Sequence, residues 1–365
     1  MIAYLKVASI ALLALLDLTV ARPSDCRPNT WLNLKPIPVP RQEHSTVALN
    51  ETTIAVIGGV HIEGASASST DLVQFYDIPS DTWRNGTSIP YGINHPNAAA
   101  VNGRIYLLGG LTDGALSPGE YINWVATTGS FLYDPATETW SELAPMPNGT
   151  ERGSAIVGVH NDIIYLAGGM TVLQNYQDSL TTVNAFNTTS GSWIRLPPAA
   201  ANIPEGRQHG TGGVIGNKFY VVGGRWFGQM NVRGTVYELD LTNQEAGWKT
   251  SPFHMPVPRG GLAGGIVGER IYTFGGEGDP NTITGVFNQS ESYDVKSRRW
   301  SELKDMAVPR HGTSAVAIGN KVYIPGGGLQ QDGKVVDYNA ISQIGSMRTV
   351  SSGPMKSWPQ SGRLA

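Results

Sequence analysis

KFYVVGG, residues 218–224, is an apolar run of strand type closed by a Gly-Gly doublet, and five further stretches of the 365-residue chain repeat it. They are TIAVIGG (53–59), RIYLLGG (104–110), IIYLAGG (163–169), RIYTFGG (270–276) and KVYIPGG (321–327), and successive doublets lie 51 to 59 residues apart. A recurrence of that length marks a repeat architecture. Outward from each doublet the same signals return in the same order. An arginine-containing turn and a run of small residues come before the strand. A variable loop, an aromatic strand end and usually a Trp seven residues later come after it. The pairs are Tyr76 and Trp83, Tyr133 and Trp140, Phe186 and Trp193, and Tyr293 and Trp300, while the fourth unit carries Trp248 after a slightly longer turn. Short strands punctuated by Gly and Pro make the unit all-β. Each doublet therefore counts one blade, and the expected fold is a six-bladed β-propeller.

The residue choices have physical reasons. Strands that meet at a crowded axis need small side chains, which segments such as Ser45–Ala48, Asn97–Ala100, Gly210–Gly213 and Gly312–Ala315 supply. Gly at the end of the next strand tolerates positive φ and close backbone approach. Trp on the outermost strand supplies apolar area between neighbouring blades. A phosphate-cradling loop would need a following helix and, in its Walker form, a Lys-Ser/Thr pair; neither follows these glycines.

The sixth doublet has no Trp where its outer strand should end. Trp31-Leu32-Asn33-Leu34 followed by PIPVPR matches Trp300-Ser301-Glu302-Leu303 followed by KDMAVPR. The N-terminal strand is therefore expected to complete the blade begun by residues 322–339, closing the ring and removing exposed edges. Trp358 is the rival for that place, without the strand-then-Pro-Arg flanks. Pro325 removes a ladder donor before the sixth doublet and predicts a locally irregular blade.

This pattern resembles the kelch repeat over roughly residues 31–340, with both doublet and Trp in five of the six units. The expected organisation is a signal peptide over 1–21, a propeller over 22–340 and a C-terminal tail over 341–365. Lys6, the apolar stretch Val7–Leu16 and Thr19-Val20-Ala21 make the leader. About ten apolar residues are too few for a span that needs about twenty. Five N-glycosylation sequons, at Asn50, Asn85, Asn148, Asn187 and Asn288, agree with a secreted glycoprotein. Cys26 is the only cysteine, so no internal disulfide staples the fold. A net charge of −3 with 15% charged residues argues against nucleic acid or an anionic membrane surface as partner.

Equivalent slots of successive blades should form rings around the channel. Arg152, Arg207, Arg259 and Arg310 lie sixteen residues before their first doublet glycine, and Arg41 lies seventeen before. Guanidiniums near one opening would suit bidentate recognition of carboxylate, phosphate or sulfate, and the alternative is a structural role against backbone carbonyls. In kelch proteins that bind acidic peptides, arginines of this Pro-Arg-x-Gly turn contact the ligand, so the resemblance implies the same role here. His44, His95 and His209 lie fourteen residues before their doublets and His311 fifteen before, a second layer that could supply acid–base groups or bind a transition metal through imidazole nitrogens. Arg225-Trp226 directly follows its doublet and is the expected specificity element. No cofactor or metal is expected: a galactose-oxidase-type copper site would need a cysteine within the repeats, and the Glu-x3-Asp-x3-His element of iron-dependent kelch specifier proteins is absent.

Three readings stay open. The first is a monomeric protein binding a small anionic or polar ligand at the channel mouth, of cofactor-free isomerase or cyclase type. The resemblance supports it, because exported kelch proteins of this length include a sugar (sialic-acid) mutarotase and secreted fungal ones accompany natural-product (secondary-metabolite) pathways. The second is a non-catalytic module for an acidic peptide or other protein ligand. The third is a glycan-binding protein.

Overall fold

A computed structural model describes residues 31–63, 66–333 and 345–348. The leader over 1–21, Cys26 and Trp358 lie outside the described residues. The chain is an all-β propeller, and its only described helical elements are two single 3-10 turns, Gln244–Ala246 and Gln331–Gly333. Among the described residues no helix is long and apolar enough to cross a membrane.

Apart from the hairpin of Val60–Glu63 with Ser66–Ser69, each described sheet is an antiparallel meander running outward from the axis. The first orders Ser45–Ala48, Thr53–Ile57, Val73–Asp77 and Thr82–Asn85 from inside to outside. The inner strands explain the run of small residues: a Cβ on Gly264 would collide with the Thr211 side chain of the neighbouring sheet. The second strand of each meander is the most deeply buried, as in Ile54–Ile57 and Phe219–Val222. The second sheet is unusual. Its strands Arg104–Asp113 and Trp124–Asp134 continue past the doublet, with a register shift between Thr127 and Ser130, and raise a wall over the loop face.

The sheet that contains Val316–Ile318 and Lys321–Ile324 takes Gly345–Arg348 as its third strand and Trp31–Asn33 as its outermost. The tail boundary expected at residue 341 is thereby corrected, because the backbone of residues 345–348 supplies ladder partners to Lys321–Ile324. Trp31 fills the outer-strand role. Its indole donates to Lys304 O at 3.1 Å, as Trp83 donates to Lys35 O, Trp140 to Thr87 O, Trp193 to Ala144 O and Trp248 to Ala200 O at 3.0–3.1 Å. Each bond ties an outer strand to the sheet beside it. Trp31→Ala should lower stability by roughly 1–3 kcal/mol, the scale of one aromatic contact and one hydrogen bond. A urea midpoint equal to wild type would show that the N-terminal strand does not hold the ring.

The doublets seal the sheets to one another. Gly169 has φ +103°, and a Cβ there would sit 2.7 Å from Gly153 O and 2.8 Å from Arg152 Cδ. Its N–H donates to Arg207 O of the next repeat at 2.7 Å. Gly169→Ala combines a strained backbone with that clash and should cost at least about 2 kcal/mol, readable as a fall in the denaturation midpoint.

Candidate functional site

The arginine slot comes first, because it decides which face carries the chemistry. Arg41, Arg152, Arg207 and Arg259 are fully buried and Arg310 is 5% exposed. Arg41 Nε, Arg152 Nη1, Arg259 Nε and Arg310 Nη1 donate to the carbonyl of the first doublet glycine of their own repeat, at 2.7–3.1 Å. Arg207 instead donates to Glu205, Thr235 and Tyr237. The backbone carbonyls of Arg41, Arg207, Arg259 and Arg310 accept from the second doublet glycine of the preceding repeat, as Arg259 O does from Gly224, and Arg152 O accepts from Asn97 Nδ2. Desolvation by burial lowers the pKa of all five. The expected ligand ring of Arg41, Arg152, Arg207, Arg259 and Arg310 is therefore corrected: these guanidiniums staple adjacent sheets. In the second repeat Ile93 takes the slot with an apolar side chain, and its carbonyl still accepts from Gly59 at 2.8 Å.

Two residues beyond the arginine stands a ring of left-handed backbone. Glu43, His95, Ser154, His209, Gly261 and Gly312 have φ between +47° and +62°. The N–H of Glu43 donates to Gly312 O, His95 to Glu43 O and Ser154 to His95 O, while Gly261 donates to His209 O and Gly312 to Gly261 O, at 2.5–3.0 Å. Between Ser154 and His209 the link runs through Ser154 Oγ at 3.0 Å. The chain closes this circle around its axis and directs three long polar side chains, from Glu43, His95 and His209, inward.

There His95 Nε2 lies 2.9 Å from His209 Nε2 and 3.0 Å from Glu43 Oε2. His209 Nε2 is 3.8 Å from the same oxygen. On the other side of Glu43, His311 Nδ1 lies 4.0 Å from Oε1 and 3.3 Å from Glu277 Oε1. Glu277 in turn accepts from Arg225 Nη2 at 2.7 Å and from Gln229 at 3.1 Å. Arg225 and Glu277 occupy the position after the doublet in adjacent repeats, where Val60, Leu111 and Met170 stand in the first three. Among the described residues, Glu43 with His95 and His209, and Glu43 with Glu277 and His311, bring their ligand atoms within 4.8 Å of one another.

Glu43, His209, Arg225, Glu277 and His311 floor a cavity of about 230 Å³ on the loop face, lined also by Trp124, Leu173 and Gln177. A second cavity of about 130 Å³ continues along the axis below it, and Glu43 and His209 line both. Tyr121 lines the larger cavity and is exposed, and Tyr176, Trp226 and Phe227 are exposed on loops that follow other doublets.

Electrostatics sorts these groups. Burial would lower His311, but the charges of Glu277 and Glu43 outweigh it and push its pKa up to about 9. Its Nε2 faces Gln330 O at 2.7 Å, so both ring nitrogens look onto acceptors, as an imidazolium requires. Burial would raise Glu277, and His311 and Arg225 hold it well below the ordinary carboxylate range. Burial likewise opposes the ionised form of Glu43, and His95 with His311 keeps it low. Burial, then Arg225, keeps His209 far below its ordinary value and hence neutral. At neutral pH the floor thus presents two carboxylates, an imidazolium and neutral imidazole.

The sequence reading is thereby revised in detail. His95, His209 and His311 do meet, although their repeats are not neighbours. His44 does not join them: it points the other way to Pro325 O at 3.1 Å, and burial lowers it to about 3. Arg225 reaches the floor, whereas Trp226 is not among the residues lining the cavity and stacks its ring against Arg233. Glu43 and Glu277 were missed as site residues. The signal for Glu43 was present: Arg41 stands one residue further from its doublet than the other arginines, so counting from the arginine puts Glu43 level with His209.

A closed ring of four-stranded meanders, stapled by Pro-Arg turns and Gly-Gly doublets, defines the class. The chain belongs to the kelch-repeat family: the KLHDC2/KLHL20/DRC7 Kelch-repeats domain matches residues 17–224 and 211–346. It is similar to Kelch-like protein terF of Aspergillus terreus, 39% identical over 306 residues that cover 83% of this chain and 64% of terF. Kelch-like protein 23 of Homo sapiens is 28% identical over 79% of this chain and 46% of its own. The chain therefore spans less than two thirds of either relative. N-acetylneuraminate epimerase of Haemophilus influenzae is 24% identical over 83% of this chain and 92% of that enzyme.

Proposed function

We propose that this protein is a secreted, monomeric, six-bladed kelch propeller, closed by its N-terminal strand, that binds a small polar molecule in the loop-face cavity. There it acts by proton transfer, as an isomerase- or cyclase-type enzyme of a natural-product pathway. The observation that carries the reading is the buried floor, where the Glu43 carboxylate stands between neutral His209 and charged His311. An acid and a base held apart in one small cavity are what proton relocation on a bound substrate requires. Tyr121 would cover a planar or sugar-like ring, and Arg225 offers a cation to a carboxylate or carbonyl. The similarity to N-acetylneuraminate epimerase supports a compact oxygen-rich metabolite as the substrate class. The circle of backbone hydrogen bonds from Glu43 to Gly312 supports the six-fold closure.

The test is a panel of small hydroxylated and carboxylated metabolites, N-acetylneuraminate included, followed by thermal shift and by NMR in D2O. Substrate C–H or anomeric exchange that needs wild-type protein and vanishes in His311→Ala is the expected result. No panel member raising the melting temperature, or exchange that survives His311→Ala, would sink it. A glycan- or protein-binding role is the second reading. It is favoured by the exposed Tyr121, Tyr176, Trp226 and Phe227 and would show as binding without exchange.

Secretion makes a separate prediction. Asn50, Asn85 and Asn148 are exposed, whereas Asn187 and Asn288 are half-buried. Protein made in a eukaryotic secretory host should carry glycans at the first three, and intact peptide mapping that finds all three bare removes the glycoprotein assignment.

A further inference from the structure

We propose that Glu43, His95 and His209 bind one divalent transition-metal ion on the ring axis, at the junction of the two cavities. Spacing puts His95 and His209 in one slot, and only the ring, which joins three different repeats, brings them together with Glu43.

The argument starts from the outer nitrogens of the two imidazoles. Asn94 donates through Nδ2 to Ser69 Oγ at 2.7 Å, which turns its Oδ1 toward His95 Nδ1 at 2.5 Å. Gln208 donates through Nε2 to Gln177 at 3.1 Å, which turns its Oε1 toward His209 Nδ1. Each Nδ1 therefore carries its hydrogen, and in the neutral tautomer this fixes, Nε2 holds the lone pair. Those two lone pairs face each other at 2.9 Å, with a carboxylate oxygen 3.0 and 3.8 Å away. With both rings neutral, three acceptors converge, and a cation between them satisfies all three. A proton can join only two of the three; a metal ion takes all three lone pairs at once.

The dimensions suit a metal. Ligand bonds of about 2.0–2.2 Å, at angles between right and tetrahedral, separate neighbouring donor atoms by roughly 2.9–3.5 Å. A shift of a few tenths of an ångström in Glu43 brings all three separations into that range. An imidazole held by an amide oxygen through its other nitrogen is the usual outer arrangement of a metal-bound histidine. Room is also provided: the remaining ring positions are Ser154, Gly261 and Gly312, and a Cβ on Gly312 would strike the Glu43 carboxylate. Two nitrogens and one carboxylate select zinc, iron, nickel or copper over calcium and magnesium. Glu43 and His209 face both cavities, so further coordination positions open toward a ligand. This site stands whether or not the protein turns over a substrate.

The test uses the full chain, stripped with a chelator and titrated with Zn(II) alone, with Co(II) absorption as the spectroscopic probe. One equivalent per chain should bind. His95→Ala and His209→Ala should weaken it at least about 100-fold, and Asn94→Ala, which frees the His95 tautomer, roughly 10–100-fold. His44→Ala, outside the cluster, should leave affinity unchanged. Should the histidine variants fail to fold, the Co(II) spectrum of wild type still reports nitrogen and oxygen ligation. Absence of stoichiometric binding in wild type, or full binding retained by folded His95→Ala/His209→Ala protein, overturns the proposal. So does NMR detection of a proton on either Nε2 in protein saturated with Zn(II).

Discussion

Arg259→Ala is expected to destabilise the protein by ~3–5 kcal/mol, the scale of breaking a buried ion pair by removing one partner. Arg259 Nη1 lies 2.8 Å from Glu291 Oε2, with side chains 0% and 2% exposed. The guanidinium also donates to Gly275 O, Val257 O and Thr273 Oγ1. Without it Glu291, whose pKa burial already raises, faces an apolar interior alone. Replacing both residues, as in Arg259→Met with Glu291→Met, should recover most of the loss, because no charge is then stranded. Arg41→Ala should cost less than Arg259→Ala: the matching partner of Arg41 is the neutral Gln74, at 2.5 Å. Chemical denaturation of the four proteins decides the matter. A single-variant cost under about 1 kcal/mol would mean that the arginine layer is not what staples the sheets.

Glu277→Gln should bring the pKa of His311 down from about 9 toward its ordinary 6.5, since burial is then opposed only by Glu43 and the Gln330 carbonyl. The groups facing that ring are Glu277, Glu43 and the Gln330 carbonyl, with Arg225 beyond Glu277. The sign follows from linkage. The folded pKa of His311 lies above its unfolded value, so its contribution to stability is complete below about pH 6.5 and is lost as pH rises through about 9. Glu277 is depressed, so its contribution is present above its unfolded value near 4.5 and is lost as pH falls below it. Wild-type stability should therefore decline on both sides of neutrality, and the alkaline decline should disappear in Glu277→Gln. Imidazole NMR titration reads the first effect and denaturation against pH the second. A His311 titration unchanged by the substitution would detach it from Glu277 and break the proposed floor.

Much of the architecture was readable in the chain because it rests on local rules repeated many times. Doublets, small inner strands and outer Trp residues each reflect a steric demand that every repeat must meet, so one unit predicts the others. Trp31 could be assigned to the far end of the chain by template alone. The strand Gly345–Arg348 could not, because it carries neither doublet nor Trp and is defined only by its ladder to Lys321–Ile324. The arginine slot was located correctly and read in the wrong direction. Position along the chain gives radial station, but it does not say whether a side chain turns toward the axis or back onto its own sheet.

The sequence by itself determined an all-β ring, its repeat and the position of its basic layer, because those follow from periodic packing constraints on short segments. Only the tertiary structure decided which polar groups meet. Glu43, His95, His209, Glu277 and His311 come from five separate repeats, and their charges are fixed by distances of 3–4 Å across the axis. No local propensity encodes those distances; closing the circle creates them.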